Sequence, residues 1–170
     1  MTQSQRIVAI GAASGVAAML LSMAVLYAAL PHAAPGAGLA DRLAYAAIAN
    51  AFASLPLLAA IAAVGNARAM SDAIDPTLGK ESPAIIVTGR VADNTLQQFA
   101  IFATATLALS VNLKPTQLHI IAAAAITFVA ARLGFWIGYR IDPLYRAPGF
   151  AATFYLNLGL LGAALWLAVR

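Results

Sequence analysis

The chain has 170 residues, 62% of them hydrophobic and 9% charged, and no cysteine. An ordinary soluble domain carries about 25% charged residues, so this composition excludes a water-soluble globular enzyme and points to the membrane. The missing cysteine removes disulfides, thiolate metal sites and a cysteine nucleophile. The net charge of +4 comes from basic residues that flank apolar segments, which speaks for membrane orientation and against nucleic-acid binding.

In chain order, the first apolar segment is Ile7–Leu30. It follows a short positive start and precedes LPHAAPGAGLA, which has the small residues of a cleavage region. Its 24 apolar-rich residues exceed the roughly 7–15 of a signal-peptide core, so the segment is expected to be retained as a membrane helix. The second segment, Leu43–Gly65, contains Pro56, which predicts a kink. Residues 65–90 are polar and rich in turn formers, and they predict a loop with at most a short surface helix. The third and fourth segments, Val91–Val111 and Gln117–Tyr139, are joined by the tight turn Ser110–Gln117 and predict an antiparallel hairpin. Pro143 and Pro148 break the link Arg140–Phe150, and Phe150–Val169 is the fifth segment.

Each segment has 20 to 24 residues, matching the roughly 20 needed to span a bilayer as a helix. Barrel strands would be shorter and alternate in polarity. The sequence therefore predicts an all-α integral membrane protein with five spans. The amino terminus shares a side with residues 66–90 and 140–149, and that side holds six basic residues against three on the other. By the positive-inside rule it is expected to be cytoplasmic. The pairs Gly11/Gly15 and Gly134/Gly138 permit close helix contact, expected chiefly within the bundle.

One constellation stands out. Arg90, Asn94 and Gln97 are spaced i, i+4, i+7, which puts them on one helix face, and Arg132, Trp136 and Tyr139 share that spacing. In an antiparallel hairpin the two polar faces meet at the cytoplasmic end. Arg132 lies two turns before its helix ends, about 10 Å deep, where arginine normally faces a bundle or cavity. Asp93, Asn94 and Gln97 are its expected partners. Two roles stay open: a lock between helices, or part of an anion pocket with Arg90, Arg146 and Arg68. No carboxylate falls deep in a span, which argues against proton-coupled transport. His32 and His119 lie toward the outer side and do not suggest a metal site.

The pattern Arg90-x3-Asn94-x2-Gln97, followed by Arg132-x6-Tyr139-x6-Arg146, resembles the signature of the MAPEG family, the membrane-associated proteins in eicosanoid and glutathione metabolism. The resemblance covers the last four helices. It implies a MAPEG-like four-helix membrane domain over 43–170, with an additional helix and outer loop at 1–42. It further implies a homotrimer that binds glutathione as cosubstrate near the cytoplasmic face and takes a lipophilic small molecule from the membrane lipids. Carried over by position, Arg90, Asn94, Gln97, Arg132 and Tyr139 are binding residues. Arg146 is the catalytic arginine that stabilises the thiolate, and Arg68 is a possible further arginine. The family usually has glutamate where this chain has Gln97, and Gln98 and Phe135 stand where some members have tyrosine. The implied function is a glutathione-dependent transferase or peroxidase acting on lipophilic electrophiles. The alternative is a non-catalytic relative that binds a lipid headgroup or fatty-acid anion in the arginine-lined pocket.

Overall fold

The computed structural model describes residues 1–31 and 38–170. The described residues form six α-helices: α1 (Gln3–Ala29), α2 (Leu39–Ala53), α3 (Leu55–Ala69), α4 (Pro83–Asn112), α5 (His119–Ile141) and α6 (Ala147–Ala168). Short 3₁₀ turns at Pro76–Leu78, Pro115–Gln117 and Pro143–Arg146 join the later ones. His32 and most of the small-residue stretch after α1 fall on residues 32–37, outside the described residues.

Four stretches are long and apolar enough to cross a membrane: α1, the broken pair α2–α3 (Leu39–Ala69), Pro115–Ile141 and Pro143–Ala168. The chain is an integral membrane protein. The remaining expected span, the third segment, falls in α4, which has 30 residues, about 45 Å of helix, but Arg90, Asp93, Asn94, Gln97 and Gln98 leave it less apolar than the others. It also begins eight residues earlier than expected. Ser82 caps it by accepting from the Ile85 amide (3.4 Å), and Pro83 takes the first helical position, where no amide hydrogen is needed. What reads as a breaker is a starter. Pro148 acts likewise in the first turn of α6, which starts at Ala147. The kink expected near Pro56 falls at Ser54, between α2 and α3, because the proline ring cannot donate back to the preceding turn.

The main core joins five helices. Met19 of α1, Ala49 of α2, Phe102 and Leu109 of α4, Phe128 of α5 and Leu156 of α6 belong to one buried cluster. Phe102 and Phe128 sit ring to ring at 4.6 Å. A smaller cluster of Ala60, Val91 and Phe135, with Trp136 and Tyr139 against it, lies between α3, α4 and α5. The α1 helix packs on α5 and α6. A Cβ added at Gly15 would collide with the Pro148 carbonyl, and Gly11 also meets Pro148. A Cβ at Gly138 would collide with the Tyr145 carbonyl, whereas one at Gly134 would meet nothing. Three of the four glycines thus serve contacts within the bundle. Ser22 of α1 and Thr127 of α5 share a hydrogen bond at 2.9 Å. The contact of Gly11 and Gly15 with Pro148 brings the first half of α1 beside the first turn of α6.

Candidate functional site

The first turns of α4, the last turns of α5 and the start of α6 surround a cleft of about 380 Å³. Arg90, Asp93, Asn94 and Gln97 line it from α4, Phe135 and Tyr139 from α5, Arg146 from the α5–α6 connection and Phe150 from the first turn of α6. Helical spacing puts 90, 94 and 97 on one face, and the hairpin returns 135 and 139 to the same level. The 3₁₀ turn Pro143–Arg146 is held by Asp142, whose carboxylate accepts from the Leu144 amide at 2.7 Å. That cap sets where Arg146 leaves the backbone, and its guanidinium carbon lies 4.9 Å from the Tyr139 ring centroid.

Arg132 does not line the cleft. It is 1% exposed and bonds only to neutral oxygens. Its Nε and one terminal nitrogen donate to Thr95 Oγ1 (3.2 and 3.0 Å), that same nitrogen donates to Asn94 Oδ1 (3.0 Å), and the other donates to Thr153 Oγ1 (3.1 Å). Its guanidinium also lies 4.0 Å over the Phe135 ring. Of the three partners expected for it, Asn94 is met, whereas Asp93 and Gln97 turn to the cleft. Sequence reading missed Thr95 and Thr153, because an uncharged hydroxyl on a distant helix carries no signal in the sequence. Among the described residues Arg132 is the only fully buried charge, and no carboxylate neutralises it. Because Arg132 holds the Asn94 carbonyl oxygen, the Asn94 amide nitrogen is left as the donor for the cleft.

Arg68 does not join this group. It pairs with Glu81, Nε to carboxylate at 2.7 Å, across the polar connection between α3 and α4. Gln98 faces inward, where its backbone and side-chain oxygens each accept from Asn157 at 2.9 Å. It therefore does not stand in for a cleft tyrosine. Phe135 presents a ring edge to Tyr139 at 5.7 Å and offers no hydroxyl. Asp93 is the unexpected lining residue: it puts a carboxylate into the cleft that Gln97, one turn on, lacks. Among the described residues the one ion pair is Arg68–Glu81, so Arg90, Asp93 and Arg146 are not neutralised by one another. His119 lies against Tyr27 with ring centroids 4.3 Å apart and planes tilted by 39°, and no group of three or more metal-ligating side chains occurs among the described residues.

Two guanidinium groups at the rim, a third behind the wall and one carboxylate suit a ligand with more than one anionic group and one cationic group. A thiol placed beside Arg146 would have its thiolate favoured by the positive charge, and with no cysteine in the chain that sulfur comes with the ligand. The MAPEG family model matches residues 43–166. No curated protein and no solved structure matches the chain.

Proposed function

The chain belongs to the MAPEG family, and from that premise we propose that it is a membrane enzyme that uses glutathione on a lipophilic electrophile or peroxide. The observation that carries this reading is the convergence of Arg90, Asn94, Tyr139 and Arg146 on one cleft. The donor set fits the tripeptide. Arg90 and the Asn94 amide suit its carboxylates, Asp93 suits its ammonium group, and Arg146 is left for the sulfur. Glutathione supplies the sulfur nucleophile.

What the chain contributes is position and charge. Arg146 holds the sulfur as thiolate, and the Tyr139 ring face steadies that guanidinium. Arg132 fixes the Asn94 amide as donor from behind the wall and adds positive potential from a position that is itself screened from water. Trimer assembly and a cleft on the cytoplasmic side belong to the same reading. The trimer rests on family membership, and the orientation on the basic residues flanking the helices. A second reading, a non-catalytic binder of a lipid anion, is favoured by one observation: Gln97 is neutral where the family usually carries glutamate.

Calorimetric titration of glutathione into the detergent-purified protein, alongside turnover of a model electrophile, separates the two. The enzyme reading expects binding in the micromolar to low millimolar range. It also expects Arg146→Ala to lose turnover by at least a hundredfold while affinity changes only a few-fold. Absence of both binding and turnover in the wild type would sink it and favour the lipid binder.

A further inference from the structure

Arg146 stands in a stretch of backbone that two helices grip through glycines. On the α5 side, Gly138 lets the Tyr145 carbonyl approach, and Gly149 packs against the backbone of Ala131 and Phe135. On the α1 side, Gly15 lets the Pro148 carbonyl approach, and a Cβ added at Gly11 would lie 3.2 Å from Pro148 Cδ and 3.3 Å from Ala147 Cβ. Tyr145 and Gly149 are thus held by α5, Ala147 and Pro148 by α1, and Arg146 lies among them. Its side chain is less constrained. The guanidinium lies against the Tyr139 ring but pairs with no carboxylate among the described residues. Arg146 lines both the cleft and an open space of about 460 Å³ between α1 and α6. Where the guanidinium comes to rest therefore depends on where the backbone launches it.

We propose that Gly11 and Gly15 are positioning residues: by letting α1 close on Ala147 and Pro148, they set the backbone from which Arg146 reaches the cleft. The hold is stiff, because a Cβ at Gly15 would meet main-chain atoms, which cannot swing aside as a flexible side-chain tip can. A small shift there matters, since misplacing a group at the chemistry by about 1 Å can cost about a hundredfold in rate. The α1 helix lies ahead of residues 43–166, which the family model matches, so Arg146 is held in part by a helix from outside the matched region. The effect on turnover rests on the glutathione reading. The effect on the placement of Arg146 does not.

The test uses the full-length protein in lipid nanodiscs and compares Gly15→Ala and Gly11→Ala with two controls. Ser22→Ala removes the hydrogen bond to Thr127 and so loosens α1 in its other half, and Gly159→Ala adds a methyl group in open space on α6. The first readout needs no thiol. Phenylglyoxal modifies accessible arginines, and peptide mass spectrometry gives its rate at Arg146 relative to Arg170, which is exposed beyond the far end of α6. Gly15→Ala should change that ratio at least threefold. Gly11→Ala, whose neighbours need yield only slightly, should change it less and in the same direction, and it decides the matter if Gly15→Ala does not fold. Both controls should stay within 1.5-fold of wild type. The second readout is turnover against glutathione affinity: Gly15→Ala should lose turnover at least tenfold while affinity stays within threefold. An unchanged ratio in both α1 glycine variants, or an equal change in Ser22→Ala, would overturn the proposal. A changed ratio in a protein that binds no glutathione upholds the positioning and defeats the thiol reading. Glutathione binding and turnover with an unchanged ratio defeat the positioning alone.

Discussion

Thr153→Val removes one hydroxyl and keeps the side-chain shape, and its cost reports whether Arg132 is truly dry. Thr153 Oγ1 accepts from Arg132 at 3.1 Å and itself donates to the Gly149 carbonyl at 3.0 Å. The second bond is cheap to lose, because that carbonyl keeps its place in the helix ladder. The first is not, because Arg132 is 1% exposed and water cannot replace the acceptor. Leaving a charged donor unsatisfied costs about 1.5–3 kcal/mol, roughly a 10- to 150-fold shift in the unfolding equilibrium. Neutral interhelical hydrogen bonds in membranes average only about 0.6 kcal/mol, so the two descriptions are separable. Reversible unfolding by SDS titration in mixed micelles gives the number. Thr104→Val is the matched control, since Thr104 also donates to the carbonyl four residues back (2.9 Å) but is exposed; it should fall within about 0.5 kcal/mol of wild type. A Thr153→Val cost no larger than the control would refute the argument and mean that the guanidinium is hydrated.

Three further outcomes follow from the same geometry. Asp93→Asn should weaken glutathione binding by about 1 kcal/mol, roughly fivefold, since Asp93 is exposed and its charge is screened; calorimetry reads this directly, and Gln97→Glu should strengthen binding by a similar factor. Gly15→Ala should destabilise the bundle by about 1–3 kcal/mol in the SDS titration, because the Pro148 backbone it meets cannot yield, whereas Gly89→Ala, with open space around it, should be neutral or mildly stabilising. Asp75 has its pKa held below the usual carboxylate range by bonds from the Thr77 hydroxyl (2.6 Å) and then the Thr77 amide (2.9 Å). Its contribution to the Pro76–Leu78 turn is therefore present above the unfolded pKa and lost as pH falls through the lowered folded value. Protection of the Thr77 amide from hydrogen exchange, taken relative to the intrinsic rate at each pH, should hold at neutral pH and fall in acid, and Asp75→Asn should abolish that dependence.

How much of this the sequence discloses depends on the kind of signal involved. The apolar segments are legible because a run of 20 residues is a long and redundant message. Arg90, Asn94, Gln97, Tyr139 and Arg146 can be grouped because helical spacing and one tight turn suffice to bring them level. The start of α4 is legible only once Ser82–Pro83 is read as cap and first residue instead of as a loop. The surroundings of Arg132 and Gln98 are not legible. Thr95, Thr153 and Asn157 look like ordinary small polar residues, and which of them meets a given partner depends on helix rotation, which the spacing leaves free. The same limit hides Asp93, since adjacent residues on a helix point about 100° apart and nothing local says that the cleft is wide enough to include both 93 and 94.

The bonding of Arg132 also bears on the order in which the protein is made. As α5 enters the bilayer it carries a guanidinium whose insertion costs roughly 2.5–3.5 kcal/mol near the bilayer centre. Asn94 and Thr95, which accept three of its four hydrogen bonds, belong to α4 and are synthesised first. Thr153 comes 21 residues later. Synthesis runs from the amino terminus, so α5 emerges next to a helix already equipped to receive its charge, and the short connection after Asn112 delivers the two as a hairpin. Until α6 arrives, one nitrogen of the guanidinium waits without its acceptor. A chain truncated between Ile141 and Thr153 would therefore carry a partly satisfied cation in lipid.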